Sequence, residues 1–182
     1  MQGTNIPCKH SILRQSDPNH CRNMMNTFKP VLLAIAAACL SLLGVALYLQ
    51  HGLDMKPCPL CVMQRYAFAA IALICLLCAT LPRPAARAGA GFGLLAALAG
   101  AGIAGWHLWV KAHPEVSCGV DPLETALNQI PSAELLPFLF KANGFCSADY
   151  APILGLSIPM WALLWFALFA IVLGRMAFKT TR

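Results

Sequence analysis

Cys58 and Cys61 stand three residues apart in the run Lys56-Pro57-Cys58-Pro59-Leu60-Cys61-Val62-Met63-Gln64-Arg65. The pair sits where a polar loop gives way to an unbroken apolar stretch from Tyr66 to Leu81. Proline fixes φ and lacks an N–H, so Pro57 and Pro59 keep the approach extended. The composition suits a helix from Val62, which puts Cys61 at or just before its N-terminus. Unpaired N–H groups and the helix dipole favour an anion there, and a thiolate is such an anion. Arg65 follows one turn later, and helical side chains lean toward the N-terminus, so its charge is directed toward Cys61. Two influences thus favour the thiolate of one sulfur. The chemistry open to such a pair is thiol–disulfide exchange, a structural disulfide or half of a metal site.

The chain has nine cysteines, which fall into three settings. Cys8 and Cys21 lie in a polar N-terminal segment, and with His10 and His20 they match no standard zinc spacing. Cys39, Cys75 and Cys78 lie inside apolar runs, where a thiol is inert packing. Cys58, Cys61, Cys118 and Cys146 lie in or beside loops that fall on one side of the elements described next. No metal is expected, because zinc sites favour two closely spaced pairs and Cys118 and Cys146 are each single.

Those elements belong to a membrane. Of 182 residues, 59% are hydrophobic and 11% charged, with mean hydropathy +0.66. Four apolar runs read as spans, at about 31–49, 62–81, 91–110 and 153–173. Each holds about 20 residues, enough to cross roughly 30 Å of hydrocarbon. The expected organisation is a flexible cytoplasmic extension over 1–28, a four-helix membrane domain over 29–176 and a cytoplasmic tail over 177–182. No small-residue cleavage site closes the first apolar run, so it reads as a span rather than a leader.

The net charge of +6 does not indicate nucleic acid, because the charges are sorted by side. Nine Lys and Arg residues, from Lys9 to Arg182, fall with the termini, and only Lys56, Lys111 and Lys141 fall opposite, with Arg65 at the membrane edge. The positive-inside rule then sets both termini in the cytoplasm, as in a multi-pass protein of a bacterial inner membrane. The Cys58/Cys61 loop and the loop over 111–152 face the periplasm, where disulfides persist. Ala96, Gly100, Ala101 and Gly105 give the third span small-x-x-x-small spacing, suited to close helix contact or to a flat ligand. In the outer loop, 121–140 is apolar at helical spacing but interrupted by Pro131 and Pro137, and reads as a short interfacial helix.

A close pair at a helix mouth and a distant pair in an outer loop suit a relay. The loop pair reaches a soluble partner, and the helix-mouth pair reaches an acceptor in the membrane, for which a lipid-soluble quinone is plausible at that depth. A structural disulfide accounts for the loop but leaves Arg65 beside Cys61 without a role.

The run from Lys56 to Arg65 resembles the signature of the disulfide bond formation protein B family. Cys118-Gly119, Gly144-Phe145-Cys146 and the Leu154–Trp161 segment extend the resemblance, which covers about residues 28–175. It implies a quinone-dependent membrane thiol oxidase, using ubiquinone or menaquinone, that reoxidises a periplasmic thioredoxin-like dithiol oxidase. By position, Cys58–Cys61 and Cys118–Cys146 would be the two redox disulfides. Cys61 would face the quinone with Arg65 as its electrostatic partner, and Cys118 would receive the partner's cysteine. Many members carry a histidine just past the third span, at the position aligned with Ala112. Here His113 stands beside that position and is the candidate for quinone contact, with His107 deeper. Trp109 and Trp161 are the tryptophans expected near the quinone. Two other readings stay open: a quinone reductase of the vitamin K epoxide reductase type, in which the membrane-side pair comes after the loop pair rather than before it, and a non-enzymatic scaffold with structural disulfides.

Overall fold

In the computed structural model the apolar runs form α1 (Pro18–Gly52), α2 (Pro59–Thr80), α3 (Arg83–Ala112) and α7 (Ile158–Phe178). Each contains a segment long and apolar enough to cross a membrane. Between α3 and α7 lie three short helices, α4 (Val120–Asn128), α5 (Pro131–Leu135) and α6 (Pro137–Phe140). The structure describes residues 18–113, 120–146, 150 and 152–178, with side chains from Phe28 onward apart from 120–122. Four membrane helices and a helical outer loop agree with the expected architecture.

The element boundaries differ from the sequence reading for local reasons. Helix α1 starts at Pro18, so residues 18–28 are helical rather than irregular, while the rest of the expected extension lies outside the described residues. Helix α2 starts at Pro59 instead of Val62, because proline has no N–H to lose in a first turn and its fixed φ is already helical. Helix α3 starts at Arg83 instead of Gly91, again with a proline, Pro84, in its first turn. Helix α7 starts five residues later than Ile153, because a tight turn precedes it. In that turn Ile153 and Leu156 pair with each other, and Leu154 and Gly155 adopt φ of 52° and 80°. The interfacial segment is three helices rather than one, since Pro131 and Pro137 each open a new helix.

Small residues set the packing. Along α3, Ala86, Ala90, Gly93, Ala97, Gly100 and Ala104 are buried in a stripe three and four residues apart. The stripe includes Gly100 of the expected small-residue set, whereas Gly105 lies in open space. A Cβ on Gly100 would overlap the Phe166 ring, and one on Gly89 would overlap Cys78 Sγ. Phe166 in turn stacks on Phe68 with ring centroids 4.1 Å apart, tying α7 directly to α2 across the small residues of α3. Cys39, Cys75 and Cys78 are free thiols in this core, as their apolar setting suggested.

The helices pack in series: α1 on α2, α2 on α3, α3 on α7. Among the described residues no comparable seam joins α1 to α7. At one end of the bundle Arg83 lies over the Phe28 ring, and Arg87 donates to the Ala177 carbonyl. The Cys58/Cys61 turn and the outer loop occupy the other end, so the start of the first span and the end of the last lie at the same end, away from Cys58 and Cys61.

Candidate redox site

Pro57 and Cys58 remain extended, and Cys58 is the N-cap of α2. Its Sγ accepts a hydrogen bond from the Cys61 N–H at 3.3 Å. Cys61 therefore lies within the first turn, a little deeper than its sequence position suggested. Both thiols are free, and their sulfurs are 3.1 Å apart. The hydrogen bond to Cys61 and burial push the Cys58 thiol well above its ordinary pKa, so Cys58 keeps its proton.

Arg65 does more than lean toward Cys61. It is 7% exposed and donates from Nη1 to Gln50 Oε1 at 2.6 Å and to the Leu139 carbonyl at 2.8 Å. Its Nη2 donates to the Ala46 carbonyl at 3.3 Å. One guanidinium thus joins α1, α2 and the end of α6. Its three acceptors are neutral oxygens, so its positive charge is solvated by dipoles rather than cancelled by a carboxylate.

His107 is the site residue that the sequence reading placed second. It is 3% exposed, its Nε2 lies 3.7 Å from Cys58 Sγ, and its Nδ1 lies 3.4 Å from Gln64 Nε2. His113, the residue expected to contact quinone, points elsewhere. Its Nδ1 donates to the Trp109 carbonyl at 2.9 Å and its ring stacks on Trp109, which stacks on Trp106. Six residues of helix turn the side chain by roughly 240°, which separates the two histidines onto different faces. The signal for His107 was available, since it continues the buried stripe three residues past Ala104.

These groups line one apolar cavity of about 260 Å³. Cys58, Cys61, Arg65, His107 and Cys146 all face it, and so do Trp161 and Trp165, whereas Trp109 and His113 do not. Trp161 is held by a hydrogen bond from its Nε1 to the Ile153 carbonyl at 2.9 Å. Residues of all four membrane helices and of the outer loop contribute to its lining.

The outer loop is fastened beside this cavity. Asn143 and Gly144 both donate their N–H groups to the Pro57 carbonyl, at 3.0 and 3.1 Å. Asn128 grips the backbone of Ala142 with two bonds of 2.9 Å, and Tyr66 stacks on Phe140 while bonding Ser132. Cys146, 3% exposed, consequently packs in one cluster with Cys58, Leu60 and Val110. Cys146 is disulfide-bonded, unlike Cys39, Cys58, Cys61, Cys75 and Cys78. Cys118 lies outside the described residues.

A Cβ on Gly144 would overlap the Lys56 carbonyl, which is backbone and has little room to yield. Gly144→Val is therefore expected to weaken loop docking by about 1–3 kcal/mol while leaving the membrane helices intact. Limited proteolysis of the outer loop in detergent should become at least severalfold faster. Unchanged cleavage would show that the loop is anchored elsewhere.

A family model described as disulfide bond formation protein DsbB matches residues 28–176. A disulfide bond formation protein B of Herminiimonas arsenicoxydans is 63% identical over 155 residues, covering 85% of this chain and 98% of that protein. Proteins of the same name from Ralstonia nicotianae and, as B 1, from Pseudomonas syringae are 43% and 41% identical. They cover 78% and 85% of this chain, and 88% and 92% of their own lengths. The motif resemblance, the four-helix fold and these matches agree: the chain belongs to the disulfide bond formation protein B family, an oxidoreductase family of the membrane that forms disulfides.

Proposed function

We propose that the protein is an inner-membrane thiol:quinone oxidoreductase that reoxidises a periplasmic thioredoxin-like dithiol oxidase. The observation that carries this reading is the grouping of a free dithiol, an uncancelled guanidinium and a disulfide-bonded loop cysteine around one apolar cavity. Both termini lie in the cytoplasm in this reading, supported by the Lys and Arg asymmetry and by the position of the start of the first span and the end of the last at the end away from Cys58 and Cys61.

Electrons enter at the Cys118–Cys146 disulfide. A thiolate of the reduced partner attacks Cys118, Cys146 leaves as a thiolate, and the partner's second thiol resolves the mixed disulfide. The partner is oxidised, and the loop pair holds two electrons. Cys146, packed against Cys58, is placed to attack the Cys58–Cys61 disulfide at Cys58. Cys61 is then the leaving sulfur, and resolution by Cys118 restores the loop disulfide. Electrons and protons balance as a two-electron exchange at each stage.

The residues around Cys61 also fit a quinone. A bound quinone supplies the capacity to accept two electrons and two protons. Arginine has five N–H donors, and three of those on Arg65 are engaged by the oxygens named above. Two remain for an oxygen that gains negative charge. The apolar walls suit a ring and an isoprenoid tail, and His107 is close enough to Cys58 to hold or pass a proton.

Purified protein given a reduced periplasmic dithiol protein and ubiquinone should produce one quinol per disulfide formed. Cys146→Ser should block that reaction while leaving quinone binding intact. Partner oxidation without quinol, or normal turnover by Cys146→Ser, would refute the pathway.

A further inference from the structure

The dithiol form has a second capacity that electron transfer does not use. Cys58 Sγ, Cys61 Sγ and a ring nitrogen of His107 all lie within 4.8 Å of one another, and the three side chains are buried or nearly so. Among the described residues no other three side chains of ligating type come together in this way. We propose that Cys58, Cys61 and His107 form a binding site for a soft divalent cation of the zinc and cadmium class, present only when the helix-mouth pair is reduced.

Geometry and charge both support the site. A tetrahedral zinc ion with sulfur at about 2.3 Å and nitrogen at about 2.0 Å sets its ligands roughly 3.5–3.8 Å apart. The sulfurs are 3.1 Å apart and the Cys58 Sγ to His107 Nε2 distance is 3.7 Å. A small opening of the thiol pair brings the sulfurs to that spacing, and the third separation is within 4.8 Å. Both sulfurs bind as thiolates, with Cys58 giving up its proton, so two thiolates and a neutral imidazole around a divalent ion give an uncharged centre. Such a centre is tolerated in an apolar wall, and Arg65 faces no net positive charge. The fourth position faces the cavity, where water can complete the coordination.

Oxidation removes the site. In a disulfide the two sulfurs are about 2.05 Å apart and are no longer thiolates. The cation therefore competes with electron departure, since it holds the pair in its electron-loaded form. The binding claim rests on the dithiol geometry and not on quinone use, so a titration without quinone tests it alone.

Full-length protein carrying Cys118→Ser and Cys146→Ser, reduced and freed of reductant and quinone, is titrated with cadmium chloride. The thiolate-to-cadmium absorption band should rise and saturate at one equivalent. Oxidising the Cys58–Cys61 pair beforehand should abolish the band, Cys61→Ser should abolish it as well, and His107→Ala should weaken binding at least tenfold. No band in the reduced protein overturns the proposal. A band that survives oxidation or Cys61→Ser does so too, because the metal then sits on other thiols. Affinity unchanged in His107→Ala would remove the histidine from the site. The comparison of reduced with oxidised protein uses no replacement of these three ligands and decides the matter even where His107→Ala does not fold.

Discussion

Cys58→Ser loaded with quinone is expected to show a visible charge-transfer band, and Cys61→Ser none. Both variants should lose turnover by more than about a thousandfold, as when a nucleophile is removed. The spectra separate their roles. Cys61 lies in the first turn of α2, where unpaired N–H groups suit an anion, and it lines the cavity. Cys58 is the N-cap, with its thiol held protonated by the hydrogen bond to Cys61 and by burial. Removing Cys58 leaves a lone Cys61 thiolate at the cavity wall, able to donate density to a bound ring. Removing Cys61 leaves the N-cap sulfur, which lines the cavity but also packs against Cys146 and lies outside the first turn. The band should fade as pH falls, because acid protonates the Cys61 thiolate. Colour in Cys61→Ser, or none in either variant with quinone demonstrably bound, would reverse or remove the assignment.

Arg65→Met is expected to lower quinone reduction by about 10²–10³-fold, the range for deleting one preorganised donor to a developing oxyanion. Arg65→Lys should retain part of the activity. Lysine restores the charge but cannot hold Gln50, Leu139 and Ala46 together, because its ammonium is a compact point charge without the planar fork. Methionine loses both functions and also strands three oxygen acceptors. The loss should lie mainly in quinone use, so exchange between the partner and the loop pair, followed without quinone, should change far less. Equal quinone kinetics for all three proteins would return Arg65 to a purely structural role as the strut between α1, α2 and α6.

Much of this site was legible in the sequence because its parts are close together there. Cys58, Cys61 and Arg65 lie within one loop and two helical turns, so spacing and dipole arguments reach them directly. The four spans were legible because lipid imposes a length and a composition. The histidine was harder. His107 and His113 stand on one helix near the membrane edge, and depth alone does not distinguish their faces. Only the heptad-like run of small residues does, and it leads to His107. Arg65 as a strut was not readable, because its partners Ala46, Gln50 and Leu139 come from segments far away along the chain. The docking of Cys146 beside Cys58 depends on backbone bonds from Asn143 and Gly144 to Pro57, which carry no side-chain signature beyond one glycine. The late start of α7 came from a turn with a leucine at positive φ, a conformation that residue type does not announce.

The lack of a comparable seam between α1 and α7 among the described residues changes what concentration means for this protein. An apolar acceptor that enters between those helices arrives from the lipid, not from water. Its occupancy then follows its mole fraction in the bilayer or micelle. Adding more detergent or lipid at a fixed total amount of acceptor dilutes it in two dimensions, and the apparent affinity in aqueous units falls in proportion. Acyl chains themselves become competitors for the same opening. Constants measured with different amounts of amphiphile become comparable only when expressed per molecule of amphiphile.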